Sequence, residues 1–523
     1  MTTITDIEIP NGARSSASPV SRSIAIAFKG RWIILVISLI WALPMLLAPV
    51  LPLVDVGGHI GRYAIQLDAG RTPELAQWYT FEWHLLPNLG ADLLVQAVGP
   101  IVGVEVAARL AVILAVALQT SGILALSRSI HGRVTPWAIA ALPLIYSFPF
   151  NFGFLNYALS LGLAYWAMVA WLHFEEAHWA RRWALFAAVA TILWVSHLVG
   201  WATFCLLAGS RELIHRSRSA KSAIAAVAGT AAAVSCLLVP LAAGALFGPP
   251  GGETGPTQGW FQMVWKMFHL FAILADRWAW FDTFSLVFIL GLLVAARIMK
   301  GTRPDRATGL AAALIAAFAW LLPSQALGSH YADIRLFPIA LTLSLLCIGV
   351  TDAMQRRTVG GLFLLASLFA GIRLTATFAA GQISGREMER ELAVLDSLPE
   401  HTQMVVLRAR ECDLRIKIRL DRSTHLAGYA IARRGAFSND QWQVAGAQLL
   451  QIHNPAIAPF DQDPSQFTFN RPCEKDIGVF SMARNVPAAA SHLWVSWDGP
   501  PQPLDGWQPI RSGNTSVLYA RSN

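Results

Sequence analysis

Long apolar runs constrain the fold of this chain more than any other feature. A helix needs roughly 20 residues to cross a bilayer, and about eleven runs between residues 32 and 379 approach or exceed that length. Because 55% of the residues are hydrophobic and only 14% are charged, an ordinary soluble protein is excluded. We therefore expect a polytopic α-helical membrane protein with about eleven transmembrane helices. The runs cover residues 32–53, 106–126, 136–150, 154–174, 184–197, 199–213, 222–247, 281–296, 307–327, 336–350 and 359–379.

The positions of Lys and Arg predict which side of the membrane each connection occupies. Basic clusters such as Arg128 with Arg133 and Arg356 with Arg357 fall in every second connection, and basic connections stay in the cytoplasm. These clusters account for much of the net charge of +8, so no nucleic-acid partner is expected. The protein is predicted to be integral to a bacterial inner or plasma membrane, with membrane lipids as its surroundings.

The same charge pattern divides the chain into regions. The polar tail of residues 1–30 is expected to be disordered and cytoplasmic, and residues 31–379 form the transmembrane module. The segments 55–103, 149–153, 248–280 and 328–335 then face outward, and so does the C-terminal region from 380 to 523. The paired runs 184–197 and 199–213 have basic residues at both outer ends, which predicts two short helices that turn at Ser196-His197-Leu198.

The C-terminal region, residues 380–523, has a different character from the rest of the chain. Charged residues become frequent, apolar runs shorten, and strand-like pieces lie at 404–407, 415–420, 494–497 and 517–520. A helical pattern over 386–398 leads into it. We expect an extracytoplasmic α/β domain. Its two cysteines, Cys412 and Cys473, form a disulfide if the compartment is oxidising; two buried, unpaired thiols are the alternative.

The first outward segment, 55–103, concentrates polar residues with aromatic residues between them. It begins with Asp55-Val56-Gly57-Gly58-His59-Ile60-Gly61-Arg62-Tyr63, and it later contains Glu82, His84 and Asp92. Such a mixture is typical of sugar binding, because rings stack on apolar sugar faces and carboxylates hold hydroxyl groups. The alternative is a pair of interfacial amphipathic helices, over 63–67 and 91–106, whose charges simply meet water. A carboxylate at the position of Asp55 is costly unless it is solvated, paired or functional.

This arrangement resembles the GT-C superfamily of integral-membrane glycosyltransferases. The resemblance rests on one long apolar helix, Asp55 in an outer loop followed by His59 and Arg62, many further spans and an outer C-terminal domain. Members transfer a sugar from a polyprenyl-phosphate carrier to an acceptor at the outer leaflet, usually with inversion. The resemblance implies that Asp55 is the base that accepts the acceptor proton. It also implies a polyprenyl-phosphate sugar as donor and an envelope glycan, lipid or protein as acceptor.

The metal requirement is left open by the sequence. Val56 stands where a second acidic residue often follows in the family. Asp55 and His59 are four residues apart and share one helical face, and Asp92 or Glu82 would complete a metal site. We favour a His59 that contacts substrate or a hydrogen-bond partner, because no cluster has strict metal spacing. No cofactor is certain, and a divalent cation remains an alternative.

Cations near the interface are the candidates for binding the donor phosphate. Arg62 and Arg335 offer a planar guanidinium that grips several oxygens, although Arg335 could equally snorkel or pair with Asp333. Lys266, in the third outer segment, is a further candidate. His197, at the predicted helix break, is a polar group at membrane depth that could face a substrate cavity.

Two other function classes compete with a transferase. A transporter or flippase of lipid-linked saccharides would be expected to carry acidic residues and internal repeats within its spans, and neither is prominent here. A non-catalytic membrane protein that binds glycan is the other alternative, and in it Asp55 would be replaceable. The sugar, the acceptor and the oligomeric state are not predicted.

Overall fold

The computed structural model describes residues 31–247, 255–410, 420–444, 446–469, 478–497 and 503–522. The described chain is mostly helical, with a C-terminal sheet. The helices are α1 (Arg31–Leu46), α2 (Val56–Asp68), α3 (Pro73–Trp78), α4 (Gly90–Val102), α5 (Val104–His131), α6 (Pro136–Ala141), α7 (Phe148–Phe152), α8 (Leu155–His173), α9 (Trp179–Ser196), α10 (Leu198–Arg216), α11 (Ala223–Val234), α12 (Val239–Phe247), α13 (Met263–Phe271), α14 (Ala279–Ile298), α15 (Arg306–Leu321), α16 (Leu336–Leu346), α17 (Arg356–Leu392), α18 (Gly428–Arg434) and α19 (Val479–Ala483).

Short strands lie between the helices, and longer ones follow α17. The strands are β1 (Tyr79–Phe81), β2 (Thr302–Pro304), β3 (Gln325–Ala326), β4 (Ser329–His330), β5 (Ile348–Val350), β6 (Gln403–Arg410), β7 (Phe437–Ser438), β8 (Leu450–Ile452), β9 (Phe467–Phe469), β10 (His492–Ser496), β11 (Trp507–Ser512) and β12 (Ser516–Arg521). Strands β6, β10 and β12 coincide with three of the four predicted strand pieces. The fourth, 415–420, lies outside the described residues except for Leu420.

Five stretches of the described chain are long and apolar enough to cross a membrane. They are Val104–His131, Leu155–His173, Ala223–Leu246, Ala279–Ile298 and Arg356–Ser397. Four further apolar helices are shorter, namely Trp32–Leu46, Gly90–Val102, Arg306–Leu321 and Leu336–Leu346. The membrane character of the chain is therefore supported, and the number of eleven crossings stays a prediction.

Several of the apolar runs are not single regular helices, and two of them show the reasons. The run 136–150 divides into α6, a 3-10 turn at Leu142–Tyr146 and the start of α7, because Pro143 and Pro149 interrupt the helical hydrogen bonds. All of its residues are buried, as irregular backbone among apolar helices must be. The run 336–350 ends as strand β5, which pairs with β2.

The helix break predicted at Ser196-His197-Leu198 is present. α9 ends at Ser196, His197 is extended with φ −173° and ψ 137°, and α10 begins at Leu198. The Nδ1 atom of His197 accepts a hydrogen bond from the Val199 backbone N–H at 3.1 Å, so its side chain caps the new helix. The turn itself thus fixes the orientation of the imidazole.

The C-terminal sheet is mixed and covers two cores. Its order is β11-β12-β10-β6-β7, with β9 beside the far end of β6. β6 and β10 are parallel, and β12 is antiparallel to β10. Val405 and Val495 pack into the domain's own core, whereas Met404 and Val406 face the core of the membrane helices. The domain is joined to those helices through one face of its sheet, and α17 runs without a break across the predicted boundary at 380.

Close packing between glycines docks the C-terminal domain, called the outer domain here after its predicted side of the membrane, on the segment 55–103. A Cβ on Gly57 of α2 would lie 2.2 Å from the His425 carbonyl oxygen, and one on Gly428 of α18 would lie 2.2 Å from the Gly57 carbonyl oxygen. Strand β1 of the same segment also pairs with β8 of the domain. The glycines that open the segment after Asp55 therefore allow two backbones to touch.

Candidate active-site cavity

A cavity of about 1330 Å³ lies where the membrane helices meet the outer domain. Four residues predicted from the sequence line it: Asp55, His59, His197 and Arg335. The outer domain contributes others, including His425, Trp442 and Asp463. The volume exceeds the upper end of the range usual for small-molecule pockets, so it can accept a large substrate or two substrates together.

Asp55 is held at the cavity wall by its backbone. Its N–H donates to the Phe152 carbonyl at 2.8 Å, and a Cβ on Gly153, which has φ +108°, would approach the Asp55 nitrogen to 2.9 Å. Asp55 precedes the first turn of α2, but its side chain makes no capping hydrogen bond. Asp55 is 8% exposed and lines the cavity.

A packed group of two histidines and a tryptophan lies beside this carboxylate. His425 places Nε2 3.8 Å from Asp55 Oδ1, and its Nδ1 donates to the Asp440 carbonyl at 3.0 Å. The Trp442 ring packs on His425 with centroids 4.5 Å apart and on His59 at 5.7 Å. A Cβ on Gly58 would meet the Trp442 ring at 2.2 Å, so this glycine makes room for the ring.

Burial shifts Asp55 and His59 toward their neutral forms. It raises the pKa of the Asp55 carboxyl well above its ordinary value, opposed by the positive charge of Arg335 and reinforced by Asp463. Burial also lowers the pKa of His59, as do the charges of Arg62 and His425. A carboxylate of raised pKa is a stronger base than an exposed one.

Arg335 differs from the other cations at the cavity. Its guanidinium stacks on Phe154 at 3.9 Å and donates to the His330 carbonyl at 3.0 Å. Among the described residues, no carboxylate lies within ion-pair distance of it. In contrast, Arg277 pairs with Glu387 and Arg422 pairs with Asp276. A buried guanidinium without a carboxylate partner is suited to an anionic ligand.

His197 strengthens the preference of this end of the cavity for an anion. Its Nδ1 accepts from the Val199 backbone, so in the neutral ring the proton is on Nε2. That same Nε2 lies 3.3 Å from a terminal nitrogen of Arg335. Two donors cannot bond each other, but one oxygen of a bound anion accepts from both.

The remaining predicted site residues do not line the cavity. Arg62 and Asp92 form a buried ion pair at 2.5 Å. Lys266 is fully buried against Asp333 at 3.0 Å, so Asp333 pairs with Lys266 and not with Arg335, as the alternative for Arg335 would require. Glu82 and His84 face each other at 3.6 Å on the surface. These five are paired residues of the scaffold, so the structure gives them no contact with a substrate in this cavity.

Another part of the cavity is lined by ion pairs that neutralise each other. Arg277 makes a bidentate pair with Glu387, at 2.9 and 3.0 Å. Arg422 donates to Asp276 at 2.5 Å, and both arginines reach the Ser384 hydroxyl. Charges of both signs are balanced there, unlike at Arg335. The charged groups around Arg277 and Arg422 are therefore neutralised by each other, and the preference for an anion lies at Arg335.

No family model, curated protein or solved structure matches this chain. Within the described ranges, no group of three or more His, Cys, Asp or Glu side chains is arranged to hold a metal ion. Cys205, Cys236 and Cys347 are free thiols, while Cys412 and Cys473 lie outside the described residues.

Several cavity residues were not predicted as site residues. His425, Trp442 and Asp463 belong to the outer domain, whose sequence has no catalytic motif. One signal was present: the glycines at 57, 58 and 61 require a backbone or ring to approach closely. The sequence does not say which segment approaches.

Proposed function

We propose that this protein is a membrane glycosyltransferase that moves a sugar from a polyprenyl-phosphate donor to an envelope acceptor at the outer membrane face. The observation that carries the proposal is one cavity that holds a basic carboxylate, Asp55, and a buried guanidinium without a carboxylate partner among the described residues, Arg335. A transferase of this kind needs a base for the acceptor and a cation for the leaving phosphate. The outward position of the cavity rests on the prediction that the basic connections stay in the cytoplasm.

The proposed reaction is a single displacement. Asp55 takes the proton of the acceptor hydroxyl while that oxygen attacks the anomeric carbon. The bond from this carbon to the phosphate oxygen breaks, and its electron pair stays on the phosphate. Arg335 and the Nε2–H of His197 stabilise the negative charge that develops there. The products are the glycosylated acceptor with inverted configuration, polyprenyl phosphate and protonated Asp55.

Other residues would hold the acceptor. The end with Arg277, Glu387 and Arg422 offers donors and acceptors to hydroxyl groups without a net charge, and Trp442 offers a ring face to a sugar. The acceptor class that suits this end is a neutral, hydroxyl-rich molecule. A flippase would need no base beside an anion site, so the same residues favour transfer over transport.

A direct assay tests the proposal. Purified protein in nanodiscs is incubated with a panel of polyprenyl-phosphate sugars and envelope acceptors, and released polyprenyl phosphate and glycosylated product are both measured. We expect transfer with at least one pair of substrates. The exposed variant Glu82→Gln serves as a control and keeps that activity. Absence of transfer across the panel, with donor bound, would favour a transporter or a glycan-binding protein.

A further inference from the structure

Helix α13 has an inverted amphipathic pattern. Val264, Met267, Phe268 and Phe271 follow the helical spacing and are all exposed, with Val264 71% exposed. The opposite face carries Lys266, which is 0% exposed, and the buried His269. A helix on a soluble surface turns its polar face outward. The reversed arrangement is that of a helix whose outer face meets hydrocarbon.

The buried face of α13 is firmly anchored. The Lys266 ammonium donates to the Ala319 and Leu322 carbonyls at 2.9 and 2.6 Å, which belong to the C-terminal end of α15. It also pairs with Asp333 at 3.0 Å, two residues before Arg335. Removing one partner of such a buried pair is strongly destabilising. The orientation of α13 is therefore fixed relative to the Arg335 end of the cavity.

Two side chains of α13 contact both the cavity and the outside. Trp265 and Phe268 line the cavity, and Phe268 is also 46% exposed. Val264, one helical turn before Phe268, is exposed but does not line the cavity. On the side of α13 the cavity wall is thus mainly aromatic, with His269 beside Trp265 and Phe268, and Phe268 belongs both to this wall and to the exposed apolar face of the helix.

The neighbouring chain extends this apolar surface. Exposed Leu246, Trp260 and Phe261 precede α13, and exposed Trp280 follows it. The stretches Ala223–Leu246 and Ala279–Ile298, on either side in the sequence, are both candidate membrane spans. A nine-residue helix is too short to cross a bilayer, so between two such spans it would lie along the membrane surface.

We infer that α13 lies in the outer leaflet and forms a lateral portal, through which the prenyl chain of a lipid-linked phosphate passes from the bilayer to the cavity. Contact of α13 with bilayer lipid is independent of the proposed transfer, whereas the choice of a prenyl phosphate rests on the proposed function. The apolar chain would lie over Phe268 and Trp265. Its phosphate would reach Arg335.

Photo-crosslinking tests both parts of this inference. Benzoylphenylalanine replaces Phe268, Val264 or, as a control on the outer domain, the exposed Ile510 in separate variants. Each variant is placed in phosphatidylcholine nanodiscs that contain a trace of alkyne-tagged phosphatidylcholine. We expect labelling at 264 and 268 at least tenfold above that at 510. Equal labelling at all three positions would overturn the placement of α13 in the bilayer.

Competition then separates a portal from bulk lipid contact. Excess polyprenyl phosphate should lower phospholipid labelling at 268 at least threefold and leave labelling at 264 unchanged, and excess phosphatidic acid should affect neither. Loss at both positions, or at neither, would overturn the portal. If the Phe268 variant is not monodisperse, benzoylphenylalanine at Trp265 reports on the same wall. If polyprenyl phosphate competes at position 268 but the wild-type protein shows no transfer across the substrate panel, the portal stands and only the proposed transfer is contradicted.

Discussion

Arg335 owes its proposed role to the absence of a carboxylate beside it among the described residues. Arg62, Lys266 and Arg335 look equivalent in the sequence, since each is a cation in an outward segment. In the fold, Arg62 and Lys266 are each neutralised by a buried carboxylate, and Arg335 contacts a carbonyl and an imidazole. Burial of these partners could not be predicted from spacing, because Asp92 is 30 residues from Arg62.

The first prediction concerns the shape of the Arg335 side chain. Arg335→Lys keeps the positive charge but loses the planar fork that holds two phosphate oxygens. We expect kcat/KM for the donor to fall about tenfold, which corresponds to the loss of roughly one charge-assisted hydrogen bond to the phosphate. Steady-state kinetics with the donor identified in the panel measures this. Arg71→Lys, at an exposed position, is the matched control, and an unchanged kcat/KM in Arg335→Lys would contradict the role of Arg335 at the phosphate.

The second prediction is the pH dependence of transfer. Asp55 acts as a base only when ionised, and burial raises its pKa while Arg335 lowers it. The rate should therefore fall as the pH decreases, with a midpoint well above the ordinary value of about 3.9 for Asp. Arg335→Gln removes the opposing charge and should move this midpoint to higher pH. The measurement is kcat/KM against pH for both proteins, and a midpoint that moves to lower pH in the variant would contradict the coupling.

The third prediction concerns stability and Asp440. Burial raises the pKa of this carboxyl to about 7. The hydrogen bond that the carboxyl accepts from the Ser438 hydroxyl favours the charged form and partly opposes this rise. A group whose pKa is raised by folding favours the folded state while it is protonated in that state, so its contribution declines as the pH rises from about 4 to 7. Asp440→Asn should abolish this decline and stabilise the protein at pH 8 by a few kcal/mol at most. Thermal unfolding at pH 5 and pH 8 measures it, and equal pH slopes for variant and wild type would contradict it.

At the scale of elements, the crossing of α2 and α18 organises the site. Their backbones meet at Gly57 and Gly428, and this contact brings His425 and Trp442 to Asp55. The helix that begins directly after Asp55 is thus also the docking surface for the outer domain. Long, strongly periodic elements were predicted well: the helices at 106–126, 154–174 and 359–379 and the break at His197 are all present.

The less regular elements were harder to predict. Proline divides the run 136–150, and the run 336–350 ends in a strand whose partner, β2, lies far away in sequence. The predicted domain boundary at 380 falls inside α17 because the helix continues beyond the apolar residues and becomes amphipathic. Composition changes at that point, but backbone conformation does not.

The fourth prediction tests the glycine crossing. Gly57→Ala introduces a Cβ 2.2 Å from the His425 carbonyl, so α2 and α18 must separate. We expect the outer domain to become sensitive to limited proteolysis and transfer to fall at least tenfold. Gly371→Ala in α17 is the control, because its Cβ meets no atom within 4 Å and alanine favours a helix. Equal protease resistance of both variants would show that the crossing does not hold the domain.

At the scale of the whole molecule, the membrane helices and the outer domain form one site. The sheet shares its core with the membrane helices on one face, α17 connects the two without a break, and the cavity takes residues from both. The sequence predicted two regions and placed Asp55 in the first outward segment of the transmembrane module. It could not predict their contact, because docking depends on pairs such as Gly57 with Gly428, whose partners are hundreds of residues apart.

The central claim is that Asp55 supplies the base for transfer in this cavity, and one measurement tests it most directly. Donor binding and single-turnover transfer are measured in parallel for wild type and Asp55→Asn, at saturating donor and at neutral pH. Our account predicts unchanged or tighter donor binding in the variant and a transfer rate lowered by about 10²- to 10⁴-fold, the usual contribution of a general base. Transfer that continues at the wild-type rate in Asp55→Asn would contradict it.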